Sequence, residues 1–87
     1  MWEIEFTNTA LKQKDVAFKS VYKDKIKELV EIIRNNPFQN PPPYEKLQPT
    51  RENKYSRRIN KQHRVVYEVI EAKNYIRVLS LWTHYEA

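Results

Sequence analysis

The stretch YSRRINKQHRVVYEVIEAKNYIRVLSLWTHY, residues 55–85, decides the fold class. Three segments of it are rich in β-branched and aromatic residues, which favour strands: Tyr55–Ile59, Arg64–Glu71 and Tyr75–Tyr85. The polar spacers between them, Asn60–Gln62 and Ala72–Asn74, suit hairpin turns, because asparagine tolerates positive φ in a chain without glycine. This stretch therefore predicts an antiparallel β-meander, with Asn60 and Asn74 as the residues of positive φ.

The residues at the amino terminus predict one strand and a helix. Trp2–Phe6 alternates apolar and acidic side chains, a pattern typical of a half-buried strand. Asn8 or Thr9 is expected to cap a helix that continues from Leu11 to about Phe18.

A second helix is marked by apolar residues at helical spacing along one face: Tyr22, Ile26, Leu29, Val30 and Ile33. Ser20 or Asp24 is expected to cap its start, and Pro37 stops it because proline disfavours helix at the preceding residue. Four of the five prolines lie in residues 37–43, which we interpret as an extended, stiff crossover connector.

The order of these elements predicts an α+β fold in one domain, residues 1–87. An N-terminal strand is followed by a two-helix hairpin and then by a twisted antiparallel meander of three to four strands. The helices are expected to cover one face of the sheet.

Positive charge is concentrated in one part of the chain. The net charge is +5, and the segment 46–64 holds seven basic residues against one acid, Glu52. These basic residues are Lys46, Arg51, Lys54, Arg57, Arg58, Lys61 and Arg64. Such a cluster attracts phosphates, so we predict that these residues and His63 contact RNA. The alternative is a solvated loop whose charge serves solubility.

The composition also excludes several classes of protein. A chain without cysteine forms no disulfides and no thiolate metal sites, which fits a reducing cytoplasm. No apolar run is long enough for a membrane span and no signal-peptide pattern is present, so we predict a cytoplasmic protein. Two histidines without an acidic cluster make a poor metal site, and we predict neither a metal nor a cofactor.

The two hairpins of the predicted meander bring unusual residues to one end of the sheet. The last hairpin places Arg64 opposite Trp82, which puts His84 within about two residues, or roughly 7 Å. The preceding hairpin places Arg58 opposite Arg64. Paired arginines repel each other, and an anion between them relieves the repulsion. The register therefore predicts a phosphate site beside a histidine.

Cleavage of RNA through its 2′-hydroxyl needs a base, cations around the phosphate and an acid for the leaving oxygen. His84 suits the acid, because imidazole titrates near neutral pH, although an isolated histidine is more often an ordinary surface residue. Glu45, at the end of the proline segment, is the best candidate for the base, and its alternative is an ordinary exposed glutamate.

Four blocks of sequence carry a family resemblance: Asn36–Phe38, Tyr44–Leu47, Tyr55–Val69 and Trp82–Glu86. With these blocks in this order, the chain resembles the YoeB/Txe toxins of the RelE-like ribonuclease superfamily over nearly its whole length. The resemblance implies a RelE-like fold and the toxin of a type II toxin–antitoxin pair. Such a toxin is a metal-independent endoribonuclease that cleaves messenger RNA in the A site of the small ribosomal subunit.

The resemblance also implies partners and residue roles. Glu45 would be the general base, His84 the general acid, and Arg64 the cation that stabilises a phosphorane-like transition state. Tyr85 would hold the phosphate or the flanking base, and Arg58 would contribute to the same anion site. The expected partners are a YefM/Phd-type antitoxin, the ribosome with its messenger, and in some cases a second copy of the chain.

Two other functions remain open at the level of sequence. A toxin on the same fold that poisons a protein target such as DNA gyrase, as ParE-type toxins do, would need none of this chemistry. A basic RNA-binding protein without catalysis would use the same charge and the interleaved aromatic residues. Two of those aromatics, Tyr67 and Trp82, are expected in the core because they lie within apolar strands.

Overall fold

A computed structural model describes residues 2–47 and 53–84 of the chain, with side chains for 2–47 and 53–82. Its elements follow in the order β1 (Glu3–Phe6), α1 (Asn8–Lys19), α2 (Lys23–Asn35), β2 (Glu45–Lys46), β3 (Lys54–Arg58), β4 (His63–Ile70), a 3-10 turn (Glu71–Lys73) and β5 (Tyr75–His84). This order confirms the predicted strand, helical hairpin and C-terminal strands. Within the described ranges, neither helix is long and apolar enough to cross a membrane.

The five strands form one mixed sheet in the order β1-β5-β4-β3-β2. Strands β3, β4 and β5 form the predicted antiparallel meander. Strand β1 pairs in parallel with β5, because the two helices return the chain to the start of the sheet. Strand β2, which the sequence analysis did not locate, has only two residues, pairs with β3 and carries Glu45.

The hydrophobic core lies between the two helices and one face of the sheet. Helix α2 contributes Ile26, Leu29 and Ile33, each almost completely buried, as its apolar spacing predicts. Helix α1 contributes mainly the small residues Ala10 and Ala17, which let it pack closely on β5. The sheet side of the core comes from β4 and β5, with one residue directly after β3: Ile59, Val65, Tyr67, Val69, Ile76, Val78 and Leu81.

Helix α1 begins one residue earlier than the sequence analysis predicts, and its cap is Thr7. The Thr7 hydroxyl accepts a hydrogen bond from the Ala10 amide (3.2 Å) and donates one to the Leu79 carbonyl oxygen (3.1 Å). The prediction of Asn8 or Thr9 as the cap is therefore wrong. The parallel pairing of β1 with β5 fixes Thr7 at the strand end, and its hydroxyl reaches both neighbours.

The predicted caps of α2 are also wrong. Its N-cap residue is Tyr22, which makes no side-chain capping bond. Ser20 organises the turn between the helices instead: its hydroxyl donates to the Ala17 carbonyl oxygen (2.6 Å) and accepts from the Tyr22 amide (3.1 Å). The helix ends at Asn35, immediately before the proline-rich segment, as predicted.

The proline connector is not extended. It turns at residues 37–38, bends at 41–42 and folds around the side chain of Arg57, which comes from β3 and is fully buried. The Arg57 guanidinium donates to the carbonyl oxygens of Pro37 (2.9 Å), Gln39 (2.9 Å) and Pro42 (2.6 Å). Its Nε donates to the hydroxyl of Tyr67 at 3.1 Å, and that hydroxyl donates in turn to the Pro37 carbonyl oxygen at 2.8 Å. We call Arg57, Tyr67 and these three carbonyls the connector anchor.

The two hairpin turns use asparagine in different ways. Asn74 takes the left-handed conformation (φ 49°), as predicted. Asn60 does not, because its side-chain oxygen accepts from the amides of Gln62 and His63 (both 2.8 Å), which closes the β3–β4 turn without positive φ. The other non-glycine residue of positive φ in the described ranges is Asn53, just before β3.

A bulge changes the register between β4 and β5 near its open end. Tyr67 lies opposite Val78, but beyond Val66 the pairing shifts, so that Arg64 lies opposite Thr83. The side-chain oxygen of Gln13 accepts a hydrogen bond from the Leu81 amide (2.8 Å). This bond ties α1 to β5 at the point where the pairing of β4 with β5 is irregular. The predicted pairing of Arg64 with Trp82 is therefore wrong by one residue.

Replacing Arg57 with methionine should lower the free energy of unfolding by about 3 kcal/mol. The change removes a buried, charged hydrogen-bond donor. Three carbonyl oxygens and the Tyr67 hydroxyl then lose the hydrogen bonds that they accept from Arg57. Urea denaturation followed by circular dichroism measures the loss. The milder variant Tyr67→Phe removes two of these hydrogen bonds and should cost about 1–2 kcal/mol.

The matched control is Arg34→Met on α2, which removes an exposed arginine whose pair with Glu31 spans 3.6 Å. Its cost should stay below about 0.5 kcal/mol. Equal losses for Arg57→Met and Arg34→Met would contradict the role given to the connector anchor.

Alkaline pH should destabilise the protein through Tyr67. Burial raises the pKa of Tyr67 from 10.0 to about 12, while the Arg57 charge opposes the rise. The folded state therefore keeps the phenolic proton longer than the unfolded chain, and this stabilisation is complete below pH 10 and lost as the pH rises through 12. Between those values the free energy of unfolding should fall more steeply for wild type than for Tyr67→Phe, by on the order of 2 kcal/mol. Parallel curves for the two proteins would contradict the assignment.

Candidate active site

Three strands bring Glu45, Ser56, Arg58 and Arg64 together on the sheet face opposite the helices. Glu45 lies opposite Ser56 in the β2–β3 pair, and Arg58 lies opposite Arg64 in the β3–β4 pair. Alternation along β3 sends Ser56 and Arg58 to the same side. With Pro43 and Tyr44 these residues line an open cleft of about 220 Å³.

Arg64 is the most buried cation of this cleft, with 8% of its side chain exposed. Its guanidinium donates to the Ser56 hydroxyl at 3.0 Å and lies 3.5 Å from Oε1 of Glu45. Glu45 remains 60% exposed, so this ion pair is long, partly solvated and worth about 1 kcal/mol at most. The cleft therefore holds a fixed cation beside an accessible carboxylate.

Arg58 and Arg64 form a cross-strand pair of like charges, as the hairpin register predicts. Arg58 is exposed, whereas Arg64 is buried and held by Ser56. Two guanidinium groups on neighbouring strands repel each other, and a phosphate bound between them would remove that cost. The cleft therefore has the features of an anion-binding site, with the Glu45 carboxylate at its edge.

His84 is the last residue of β5, and its backbone lies opposite His63. The residue opposite Arg64 is Thr83, so the His84 backbone lies one residue from the partner of Arg64. The predicted register, in which His84 lies two positions from the partner of Arg64, is therefore wrong by one residue, and His84 takes the alternate position opposite His63. Tyr85, the other predicted catalytic residue from this end, lies outside the described residues.

Arg57 is not available to contact RNA, in contrast to the prediction from its charge. Its guanidinium is fully buried within the connector anchor and bonds only neutral oxygens there. It also lies over the rings of Tyr44 (5.1 Å) and Tyr67 (5.9 Å). Alternation along β3 explains the difference, because Arg57 points to the helix side and Arg58 to the cleft.

The other predicted RNA contacts are distributed over different surfaces. Lys46 is exposed and follows Glu45, so alternation turns it away from the cleft, and Lys54 lies opposite Glu68 on β4. Lys61 is exposed in the β3–β4 turn, and His63 lies on the helix side of β4. Arg51 lies outside the described residues.

Two residues of functional interest were not found from the sequence. Ser56 is fully buried and fixes the Arg64 guanidinium, and its position two residues before Arg58 on a strand would have indicated the shared face. Trp82, predicted in the core, packs against the core but is only half-buried, and its ring stacks on that of His63 (centroids 3.9 Å apart, planes 13°). Tyr67, by contrast, is fully buried as predicted.

Among the described side chains, those of residues 2–47 and 53–82, no three histidines, cysteines, aspartates or glutamates gather into a group that would hold a metal ion. The described side chains that line the cleft offer a carboxylate, two guanidinium groups and the hydroxyls of Ser56 and Tyr44. Such a set can bind a phosphodiester and take a proton from a hydroxyl next to it.

Comparison with protein families identifies one match. A family model described as the YoeB-like toxin of bacterial type II toxin–antitoxin systems matches residues 9–85. A comparison with curated protein sequences gave no significant match.

Solved structures agree with the family match. YoeB in the heterotetrameric YoeB–YefM toxin–antitoxin complex of Staphylococcus aureus is 32% identical, with a TM-score of 0.76, over 98% of this chain and 99% of that one. The YoeB dimer of the same organism is 31% identical, with a TM-score of 0.77, over 97% and 98%. The RelBE toxin–antitoxin complex of E. coli, at 21% identity and a TM-score of 0.75 over 99% and 100%, shows the shared fold.

The cleft should bind inorganic phosphate, and binding should raise the melting temperature. Saturation of the site to ten times its dissociation constant adds about 1.4 kcal/mol to the free energy of unfolding. Arg58→Gln and Arg64→Gln should each reduce the shift, because each removes one guanidinium from the pair. Glu45→Gln should increase it, because the neutral amide no longer repels the anion.

The shift is measured by thermal denaturation in phosphate and in chloride at equal ionic strength, with Arg34→Gln as the control for a lost surface charge. If phosphate stabilised all four variants as much as wild type, the anion would act on the solvent or elsewhere on the surface.

Proposed function

Because the chain belongs to the YoeB-like toxins of bacterial type II toxin–antitoxin systems, we propose that it is a ribosome-dependent endoribonuclease that cleaves messenger RNA without a metal. The observation that carries the proposal is the contact between Glu45 and the buried guanidinium of Arg64 in an open cleft. A base and a fixed cation at this separation suit attack by a 2′-hydroxyl on the adjacent phosphorus.

Glu45 acts as the general base in this proposal. Its carboxylate is 60% exposed, so an incoming ribose can approach it without displacing protein. It accepts the proton of the 2′-hydroxyl, whose oxygen then forms the bond to phosphorus, giving a cyclic phosphate as the ester bond to the 5′-oxygen breaks.

Arg64 stabilises the crowded phosphate of the transition state. Ser56 holds one of its nitrogens at 3.0 Å, so the guanidinium is oriented before the substrate arrives. Preorganised donors of this kind stabilise developing charge more than mobile ones do. Arg58, exposed on the neighbouring strand, adds a second cation to the same phosphate.

His84 donates the proton to the 5′-oxygen that leaves, and Tyr85 holds the phosphate or the neighbouring base. These two roles come from the family resemblance, since the register of β5 places His84 opposite His63 rather than opposite Arg64. Imidazole suits the acid because its two protonation states are both populated near neutral pH.

Arg57 is a positioning residue in this reaction. Glu45 follows the connector directly, and the connector anchor fixes the backbone on its amino-terminal side through the carbonyls of Pro37, Gln39 and Pro42. On the carboxyl-terminal side the Leu47 amide donates to the Lys54 carbonyl oxygen at 2.9 Å. Glu45 is therefore held from both sides while its carboxylate stays exposed.

The proposed partners follow from the family and the related structures. A YefM/Phd-type antitoxin is the expected partner, in line with the YoeB–YefM complex of Staphylococcus aureus, and it would cover or distort the cleft. The substrate is messenger RNA in the A site of the small ribosomal subunit. Self-association is a further expectation, given the YoeB dimer of that organism.

The test is to express the protein in a bacterium and to map the 5′ ends of the messenger fragments. Wild type should arrest growth and produce fragments cut within translated codons. His84→Ala and Arg64→Ala should each lower the rate of cleavage by about 100-fold or more while ribosome binding survives, because each loses one group of the acid–base and electrostatic machinery.

Arg34→Ala, on the exposed face of α2, is the matched control and should cleave like wild type. Growth arrest without messenger cleavage would overturn the proposal and favour a protein target. Wild-type cleavage by His84→Ala would overturn the acid assignment alone.

A further inference from the structure

We infer that a second cleft, at the β3–β4 turn, binds a nucleobase of single-stranded RNA beyond the phosphodiester that is cleaved. The cleft has a volume of about 660 Å³ and lies between this turn and the turn that joins the helices. The lining residues that matter here are Tyr22, Asn60, Lys61, Gln62, His63 and Trp82. The inference rests on the proposed function in that it takes RNA to be the partner.

A column of aromatic rings forms one wall of this cleft. The His63 ring stacks on Trp82 with centroids 3.9 Å apart and planes at 13°, and Tyr22 lies 6.3 Å from Trp82 at 43°. Tyr22 is 38% exposed, unlike a ring that serves only to fill the core. A planar base can extend such a column, since every base has a π-face and stacking tolerates any sequence.

The remaining wall suits the sugar-phosphate chain and the base edges. Lys61 is exposed at the tip of the turn and offers an ammonium group to a phosphate. Gln62 is exposed as well, and its amide can both donate and accept hydrogen bonds. No carboxylate lines the cleft among the described residues, so its charge complements a nucleic acid rather than a basic peptide.

This second cleft, which we call the aromatic cleft, lies next to the cleft of Glu45 and Arg64, because the two are lined by neighbouring residues of the chain. Arg58 directly precedes Ile59, and Arg64 directly follows His63, so the two clefts share the ends of β3 and β4. Strand alternation sends the arginines to one face of the sheet and His63 to the other, with Lys61 at the tip between them. An RNA strand bound at Arg58 and Arg64 would pass around this turn and place a neighbouring base on the aromatic column.

The inference is tested by the fluorescence of Trp82 in a Trp2→Phe background, which leaves one tryptophan in the chain. The probe is a 2′-O-methyl RNA of roughly ten nucleotides, which matches single-strand site sizes and has no nucleophilic hydroxyl to react. Titration should quench Trp82, and added salt should weaken the binding.

Two variants outside the catalytic machinery test the two walls separately. Tyr22→Leu keeps an apolar residue but removes the ring, and should weaken binding by about 5-fold or more. Lys61→Gln should weaken binding and flatten its salt dependence, whereas Lys12→Gln on the exposed side of α1 should leave both unchanged. Labelled RNA and fluorescence anisotropy measure these affinities independently of Trp82.

Three other outcomes of these experiments would overturn the inference. If the protein cleaves messenger RNA but Tyr22→Leu and Lys61→Gln bind like wild type, the aromatic cleft is not an RNA site and the proposed function stands. If the wild-type protein neither cleaves nor binds RNA, the inference and the proposed function are both wrong. If Trp82 emission follows the protein concentration and not the RNA, the cleft is an interface between copies of the chain.

Discussion

Arg57 carries a full charge into the interior and meets no carboxylate among its hydrogen-bond partners there. Its acceptors are three backbone carbonyl oxygens of the proline connector and the hydroxyl of Tyr67, with the ring of Tyr44 close by. Burying a charge is tolerated only when donors and acceptors are matched closely, and in the described part of the chain no buried side-chain nitrogen or oxygen lacks a partner. The guanidinium therefore imposes a constraint, because any displacement of the connector would leave a buried charge without acceptors.

That constraint links the core to the chemistry. The connector begins after the end of α2, wraps around Arg57 and leads to Glu45 at the edge of the sheet, where a two-residue strand pairs it with Ser56. Ser56 in turn orients Arg64, so the candidate base and the candidate phosphate ligand share one structural support. Arg64 is buried whereas Glu45 stays 60% exposed, so the carboxylate remains accessible from solvent. Adjacent residues on the same strands alternate between the two faces, which lets a short chain present a phosphate site and an aromatic cleft at one end of its sheet.

The sequence predicts regular elements well and irregular ones poorly. The apolar spacing of α2 and the β-rich stretch from Tyr55 onward give the helical hairpin, the meander and the pairing of Arg58 with Arg64, because these follow from periodicity and turn length. The irregular pairing on both sides of Val66, where Gln13 of α1 bonds to β5, shifts the β4–β5 register by two residues in all and leaves Thr83 opposite Arg64. Charge counting could not separate Arg57 from Arg58, since composition does not show which face a strand residue occupies. The chemistry of RNA cleavage made Glu45 and His84 the candidate base and acid, and the family resemblance implied the same roles and added Tyr85, which lies outside the described residues.

The central claim is that Arg57 acts on the reaction through Glu45. It is tested most directly by a double-mutant cycle of Arg57→Lys and Glu45→Gln, read as single-turnover cleavage of messenger RNA on the ribosome. Lysine keeps the charge but offers fewer donors in a different geometry, so Arg57→Lys alone should slow cleavage. If the connector anchor serves only to place the carboxylate, Arg57→Lys should add almost nothing once Glu45 is already glutamine. If the increases in activation free energy from the two single substitutions add in full in the double variant, Arg57 acts independently of Glu45, and the account is contradicted.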